Sequence, residues 1–288
     1  MNGGAPFSRV AILGTGLVGG SFALALRRRF EGIRIAGWDK EEVLAQAVAC
    51  GAIRESCSEL AAAVRGADLV YVALPIGAAL ERLEGISRAA EAGALVTDAC
   101  STKAVICQAA AKHFGGGARF LGGHPMAGKE AAGIKSADAD LFRGSRYALI
   151  ASEEESDPRV QGFAALVREI GATPVWCDAE THDWAAGIVS HLPQLVTVAL
   201  ARVVLDETDE TGLPVSLAGR GLADTLRLAG SPYAMWRDIC LTNTDNIAHA
   251  LDRVSQSIDH LRTRLRSREL EDEFAAANDL YKILHNLQ

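Results

Sequence analysis

The chain has 288 residues, 49% hydrophobic and 23% charged, a balance that suits a globular protein with a sizeable core and a length that allows two domains. A formal net charge of −7 argues against a nucleic-acid or anionic-membrane surface as the main partner. No signal-peptide pattern and no uninterrupted apolar run of bilayer length is found, which points to the cytoplasm, and six scattered cysteines without a C-x-x-C pair offer neither a metal site nor a disulfide framework.

After a loose lead-in over residues 1–7, the apolar run Val10 to Leu13 stops at Gly14, Gly16 and Gly19, and a helix-forming segment follows at once. This is the strand, tight turn and helix start of a dinucleotide-binding unit. Gly14 permits the turn, Gly16 lets backbone approach a pyrophosphate, and Gly19 lets helix sit close to strand. The free N–H groups of the helix start, around Leu17, face the phosphates. A second strand-like run, Ile33 to Trp38, ends in Asp39, twenty residues after Gly19. An acidic side chain there accepts from both adenosine ribose hydroxyls and repels a 2′-phosphate, so NAD is expected. Lys40 follows it, which leaves NADP possible.

Helices are expected over Glu41 to Cys50 and Ser58 to Arg65, then a buried strand from Ala67 to Leu74 that ends at Pro75. The end of that strand is a natural place for backbone contacts to the adenosine half of the cofactor. A helix from Gly77 to Ala90 leads to strand Ala94 to Thr97, with further strands at Arg119–Leu121, Tyr147–Ile150 and Thr173–Trp176. Alternation of this kind predicts an α/β fold: a Rossmann-type, doubly wound parallel sheet covered on both faces, spanning residues 1–177.

From Asp178 onward strand signals vanish, and residues 178–288 read as an all-α domain. Ile247, Leu251, Val254, Ile258, Leu261 and Leu265 recur at spacings of four and three, and Leu270, Phe274, Ala277, Tyr281 and Leu284 repeat the pattern. Such seams pack helix on helix, within one chain or between two subunits. Two seams in so small a domain favour a homodimer.

Three local motifs lie outside the glycine turn. In Asp98-Ala-Cys-Ser-Thr-Lys103, Ser101 follows a strand end and suits either contact with ligand or the N-cap of the next helix. In Gly122-Gly-His-Pro-Met-Ala-Gly-Lys-Glu130, His124 stands just beyond the strand Arg119–Leu121, where a doubly wound sheet puts its ligands, and histidine is the side chain best poised to take a proton near neutral pH. In the helical half, His191 and Gln194 interrupt an apolar run, and Asp224 and Arg227 are spaced to pair on a helix or to face a ligand. The last cluster is Met235-Trp-Arg-Asp238.

Together GTGLVGGS, DACSTK, GGHPMAG-x-E, SHLP, the glycine-rich D-x-x-R segment and MWRDI resemble the prephenate/arogenate dehydrogenase family of tyrosine biosynthesis, from about Val10 to the C-terminus. The resemblance implies a nucleotide-binding domain followed by a helical dimerisation domain, and oxidative decarboxylation of a cyclohexadienol with NAD(P). It implies that His124 accepts the proton of the ring hydroxyl, assisted by Ser101, and that Arg227 holds the ring carboxylate. His191 and Trp236 would line the pocket, with Glu130 and Asp224 in an ionic gate at its mouth. The sequence departs from some prephenate-specific members at Gln194, where they read histidine, and carries Arg220 and Leu222 where the family often has smaller or aromatic residues, so prephenate, arogenate or both stay open as substrate. A β-hydroxyacid-type dehydrogenase is the alternative enzyme, but it relies on a lysine in the helical domain, where only Lys282 occurs. A non-catalytic NAD(H)-sensing regulator is the alternative from another class.

Overall fold

A computed structural model describes residues 6–129, 131–152, 154–208, 210–267 and 269–286. The first half alternates strand and helix: β1 (Arg9–Leu13), α1 (Leu17–Arg29), β2 (Arg34–Trp38), α2 (Glu41–Ala49), β3 (Glu55–Cys57), α3 (Leu60–Val64), β4 (Leu69–Val72), α4 (Ile76–Ala89), β5 (Leu95–Asp98) and α5 (Ala104–Ala111). There follow β6 (Arg119–Pro125), β7 (Arg146–Ile150), α6 (Pro158–Glu169) and β8 (Thr173–Cys177). All four residues of β4 and of β5 are buried, as expected of strands with helices on both faces. On α4 the buried positions Ile76, Ala79, Leu83 and Ile86 recur at three and four, one stripe turned to the sheet. Asp157 opens α6 by accepting the N–H of Arg159, with Pro158 in the first turn.

Among the described residues the strands form one sheet in the order β3-β2-β1-β4-β5-β6-β7-β8. Strands β1 to β6 run parallel, but β7 is antiparallel to β6, and β8 follows β7. The doubly wound parallel sheet expected from the alternation is present, and it carries a reversed two-strand edge. A parallel pair needs a crossover, usually a helix, to bring the chain back. Between Pro125 and Arg146 the described residues hold only the 3₁₀ turn Ile134–Ser136, so the chain re-enters the sheet from the end it left. The reversal also lengthens β6. His124, expected just past that strand, lies within it and pairs opposite Ala148.

Two cores flank the sheet. Phe22 stacks on Tyr71 at 3.9 Å on one face, beside Phe142, Tyr147 and Phe163. On the other, Val70, Leu83 and Ile106 pack with Ile239 and Ile247 from the helical half, so the two halves share a core.

The helical half comprises α7 (Ala179–Ala186), a π turn (Gly187–His191), α8 (Leu192–Asp206), α9 (Leu213–Ser216), α10 (Arg220–Leu226), a 3₁₀ turn (Arg227–Gly230), α11 (Tyr233–Thr242), α12 (Thr244–Arg264) and α13 (Glu271–Asn286). From Ala179 to Asp206 the helix is continuous for 28 residues, and with a mean hydropathy of 1.7 over an 18-residue window it is, by length and composition alone, long and apolar enough to cross a membrane. The π turn widens the helix just before Pro193, where a missing N–H is tolerated. The same helix carries His182, Asp183, His191 and Gln194, all buried in the fold.

Candidate active site

At the carboxyl ends of β1 and β4 the crossovers leave in opposite directions, the crevice where open α/β sheets bind ligands. The glycine turn fills it with backbone. Gly14 has φ of +91°, and a methyl group on it would run into the carbonyl oxygen of Ala73; one on Gly19 would run into that of Gly14. A methyl group on Gly16 would meet nothing within 4 Å. Gly14 and Gly19 thus serve the fold, while Gly16 leaves open space at the start of α1, which begins at Leu17 with no side-chain cap. An uncapped helix start beside open space fits a pyrophosphate. The Asp39 carboxylate is held against this turn, with Oδ2 accepting from the Thr15 N–H at 2.7 Å and Oδ1 from the Lys40 N–H at 2.7 Å. Pro75 is the exposed residue before α4, and two residues on the N–H of Gly77 donates to Asp238 of α11 at 3.0 Å. That bond, more than the one from Arg237, holds the Asp238 carboxyl below its usual range.

The Asp98–Lys103 turn is fixed from within. Asp98, fully buried, accepts from the N–H groups of Cys100 (2.9 Å) and Gly123 (3.1 Å) and forms an ion pair with the buried Lys103 ammonium. Lys103 also donates to the carbonyl of Gly123 at 2.8 Å, so one pair ties the Ser101 turn to the strand carrying His124. Burial and Asp98 push the Cys100 thiol up, which leaves it no thiolate character.

The N-cap role weighed for Ser101 falls to another residue. Asp183 of α7 accepts from the N–H groups of Lys103 (2.7 Å) and Ala104 (2.8 Å), capping α5 from the helical half. Ser101 is half-buried beside this cap. Asp183 also faces Nδ1 of His182 at 2.8 Å, and Nε2 of His182 faces Nδ1 of His124 at 2.9 Å. Burial first, then His182, Lys103 and His191, hold the His124 pKa well below the usual imidazole value. His124 is therefore neutral near pH 7, with a lone pair to offer.

His191 is buried and accepts at Nδ1 from the amide of Asn243 at 3.1 Å, an amide that also donates to the carbonyl of Asp183. Burial pushes its pKa down to about 4 against the pull of Asp183. Its ring meets the edge of Trp236 at 5.9 Å, and both His191 Nε2 and Trp236 Nε1 are buried with no hydrogen-bond partner. Two unanswered N–H donors side by side suit an oxygen-rich ligand. Gln194 is buried too, and its amide donates to the carbonyl of Leu228 at 2.9 Å, fastening the turn that begins at Arg227 against α8. Arg227 and Asp224 are exposed, and Glu130 lies outside the described residues.

A family model described as the nucleotide-binding domain of prephenate dehydrogenase matches residues 22–175, and one described as its dimerization domain matches residues 178–282. The chain belongs to the prephenate dehydrogenase family. It is 32% identical to the prephenate dehydrogenase of Bacillus subtilis over 92% of its own length and 72% of that protein. Its structure resembles that of Aquifex aeolicus prephenate dehydrogenase in complex with hydroxyphenyl propionate and NAD+, with a TM-score of 0.85 at 30% identity, covering 96% of this chain and 97% of that one. Synechocystis arogenate dehydrogenase is similar over 97% of this chain and all of its own, with a TM-score of 0.79 at 26% identity.

Membership gives the glycine turn, His124 and Ser101 a common setting. Sequence reasoning missed His182, Asp183 and Asn243, which orient two histidines of this family member, and it gave Lys103 no role. The one available signal was His182-Asp183 itself, a polar pair at the start of a long apolar helix.

Proposed function

We propose that this chain catalyses oxidative decarboxylation of prephenate, arogenate or both, with hydride passing to NAD to give 4-hydroxyphenylpyruvate or tyrosine. The observation that carries the reading is His124, neutral and buried at the end of β6, beside the strand-end turn that presents Ser101. NAD supplies the hydride acceptor. In this reading Gly16 and Leu17 face its pyrophosphate over the turn that Gly14 and Gly19 shape, Asp39 accepts from the adenosine ribose, and Pro75 borders the adenosine half.

Removing hydride from a carbon that bears a hydroxyl requires a base on the oxygen, and His124 takes that proton while Ser101 orients the hydroxyl. The ring carboxylate leaves as CO₂, and its bonding electrons make the ring aromatic. Arg227 matches that carboxylate in bidentate geometry. The unanswered N–H groups of His191 and Trp236 suit the oxygens of the same substrate, with Gln194, Asp224 and Glu130 around them. A lysine base of the β-hydroxyacid type is not favoured: Lys282 is exposed on α13 and pairs with Asp279 at 3.0 Å.

We also take the boundary between the two domains at residues 177 and 178, and the working form as a cytoplasmic homodimer joined through the helical domain. The seam residues Ile258, Leu265, Phe274 and Tyr281 are 56–70% exposed in a single chain, as subunit-facing positions would be. Light scattering after size exclusion checks the dimer. Initial rates of NADH or NADPH formation with prephenate and with arogenate, each with both cofactors, test the reaction. Silence in all four while NAD binds would replace the enzyme reading with a sensor.

A further inference from the structure

The chain Asp183–His182–His124 runs from the cap of α5 to the end of β6, and all three side chains are buried. Its polarity follows from its first member. A carboxylate only accepts, so the hydrogen between Asp183 and His182 belongs to Nδ1 of His182. A neutral His182 then has its lone pair on Nε2, and the hydrogen between the two rings belongs to Nδ1 of His124. One ring nitrogen is left with a lone pair: Nε2 of His124.

We propose that Asp183 and His182 are positioning residues that hold His124 in the single tautomer able to accept the substrate's hydroxyl proton at Nε2. The proposal rests on the dehydrogenase reading for its kinetic consequences. Proton balance is simple: the hydroxyl proton moves to Nε2, the positive charge spreads over the His124 ring, and the Nδ1 hydrogen bond to His182 strengthens to meet it. The arrangement answers a conflict in the site. Burial keeps His124 neutral but disfavours the imidazolium that forms when it works, and an acceptor backed by a carboxylate offsets that penalty. The same logic governs carboxylate-oriented histidines elsewhere, where the wrong tautomer removes most of the rate. Asp183 does this while capping α5, so the part of the fold that aligns the Ser101 turn also aligns the base.

The test uses the full-length protein with two readouts. With ¹⁵N-labelled histidine, NMR is expected to show Nε2 of His124 as pyridine-type and its Nδ1 as pyrrole-type. This needs no substrate, so it decides the polarity even if turnover failed. A pyrrole-type Nε2 in the wild type would overturn the proposal. The second readout is kcat for His182→Phe, which keeps a ring and leaves the Asp183 cap in place. It is expected to fall by about 10- to 100-fold, the usual worth of an orienting partner, with KM and NAD affinity nearly unchanged. In a His124→Asn background the same substitution should cost nothing further, because a residue acting through His124 has nothing left to orient. Losses that multiply in the double variant would mean a separate role and sink the idea. If His182→Phe fails to fold, Asp183→Asn is read by the same criteria.

Discussion

Lys103 buries its ammonium against the carboxylate of Asp98 with neither side chain exposed, and both reach Gly123, the residue before His124. Two strand ends that carry the chemistry, β5 and β6, are thus joined by one ion pair. Removing one partner leaves an uncompensated buried charge, whereas in the intact pair Asp98 also accepts from Cys100 and Gly123 and Lys103 also donates to the Gly123 carbonyl. Lys103→Met is therefore expected to cost about 3–5 kcal/mol of stability. Denaturant unfolding checks this, and a change below about 1 kcal/mol would mean the pair contributes little.

The glycines of the turn separate fold from ligand. Gly19→Ala places a methyl group on the carbonyl of Gly14 and should lower the melting temperature strongly. Gly16→Ala meets open space, so its melting temperature should stay close to the wild type while its NAD affinity falls by an order of magnitude or more, roughly what losing one close backbone–phosphate contact costs. Thermal melts with and without NAD, and a binding titration, distinguish the two. A Gly16→Ala protein that binds NAD normally would remove that position from the cofactor site.

For His124→Asn, kcat is expected to drop about 10²- to 10⁴-fold with NAD affinity nearly unchanged. Arg227→Ala should act mainly on KM for the carboxylate substrate. Steady-state kinetics with saturating NAD separates these effects; an unaltered kcat for His124→Asn would end its role as base.

Two buried histidines make stability depend on pH. The His191 pKa lies at about 4 and that of His124 well below its usual value, against about 6.5 in an unfolded chain. Between those values the unfolded chain binds the more protons, so stability falls as pH drops below about 6.5. Each histidine adds up to about 1.4 kcal/mol per pH unit to that slope. Melting temperatures from pH 8 to 5 should decline, and less steeply for His191→Asn. Parallel slopes for the two proteins would show that His191 titrates normally.

The local motifs were legible because they are local. A strand, three glycines and a helix start occupy consecutive residues, and their backbone requirements are written in residue type, as with the positive φ of Gly14. The spacing of Ile247, Leu251 and Ile258 likewise announces a helix with one apolar side. Its exposed outer turns, which a single chain leaves uncovered, fit the subunit contact that the spacing suggested.

What the tertiary structure decided depends on contacts between distant residues. The direction of β7 rests on a loop whose return path carries no periodic signal, and with it went the length of β6 and the place of His124. The partner of His124 lies 58 residues away on a helix whose sequence does not name that contact. A carboxylate 80 residues from Lys103 caps its helix, a task the sequence suggested for Ser101 as one of two roles. Periodicity reports which face of an element is buried. Which polar group meets which inside is settled only when the sheet and the helical half close on a shared core, because each buried donor and acceptor must then find its partner among whatever the fold has brought near.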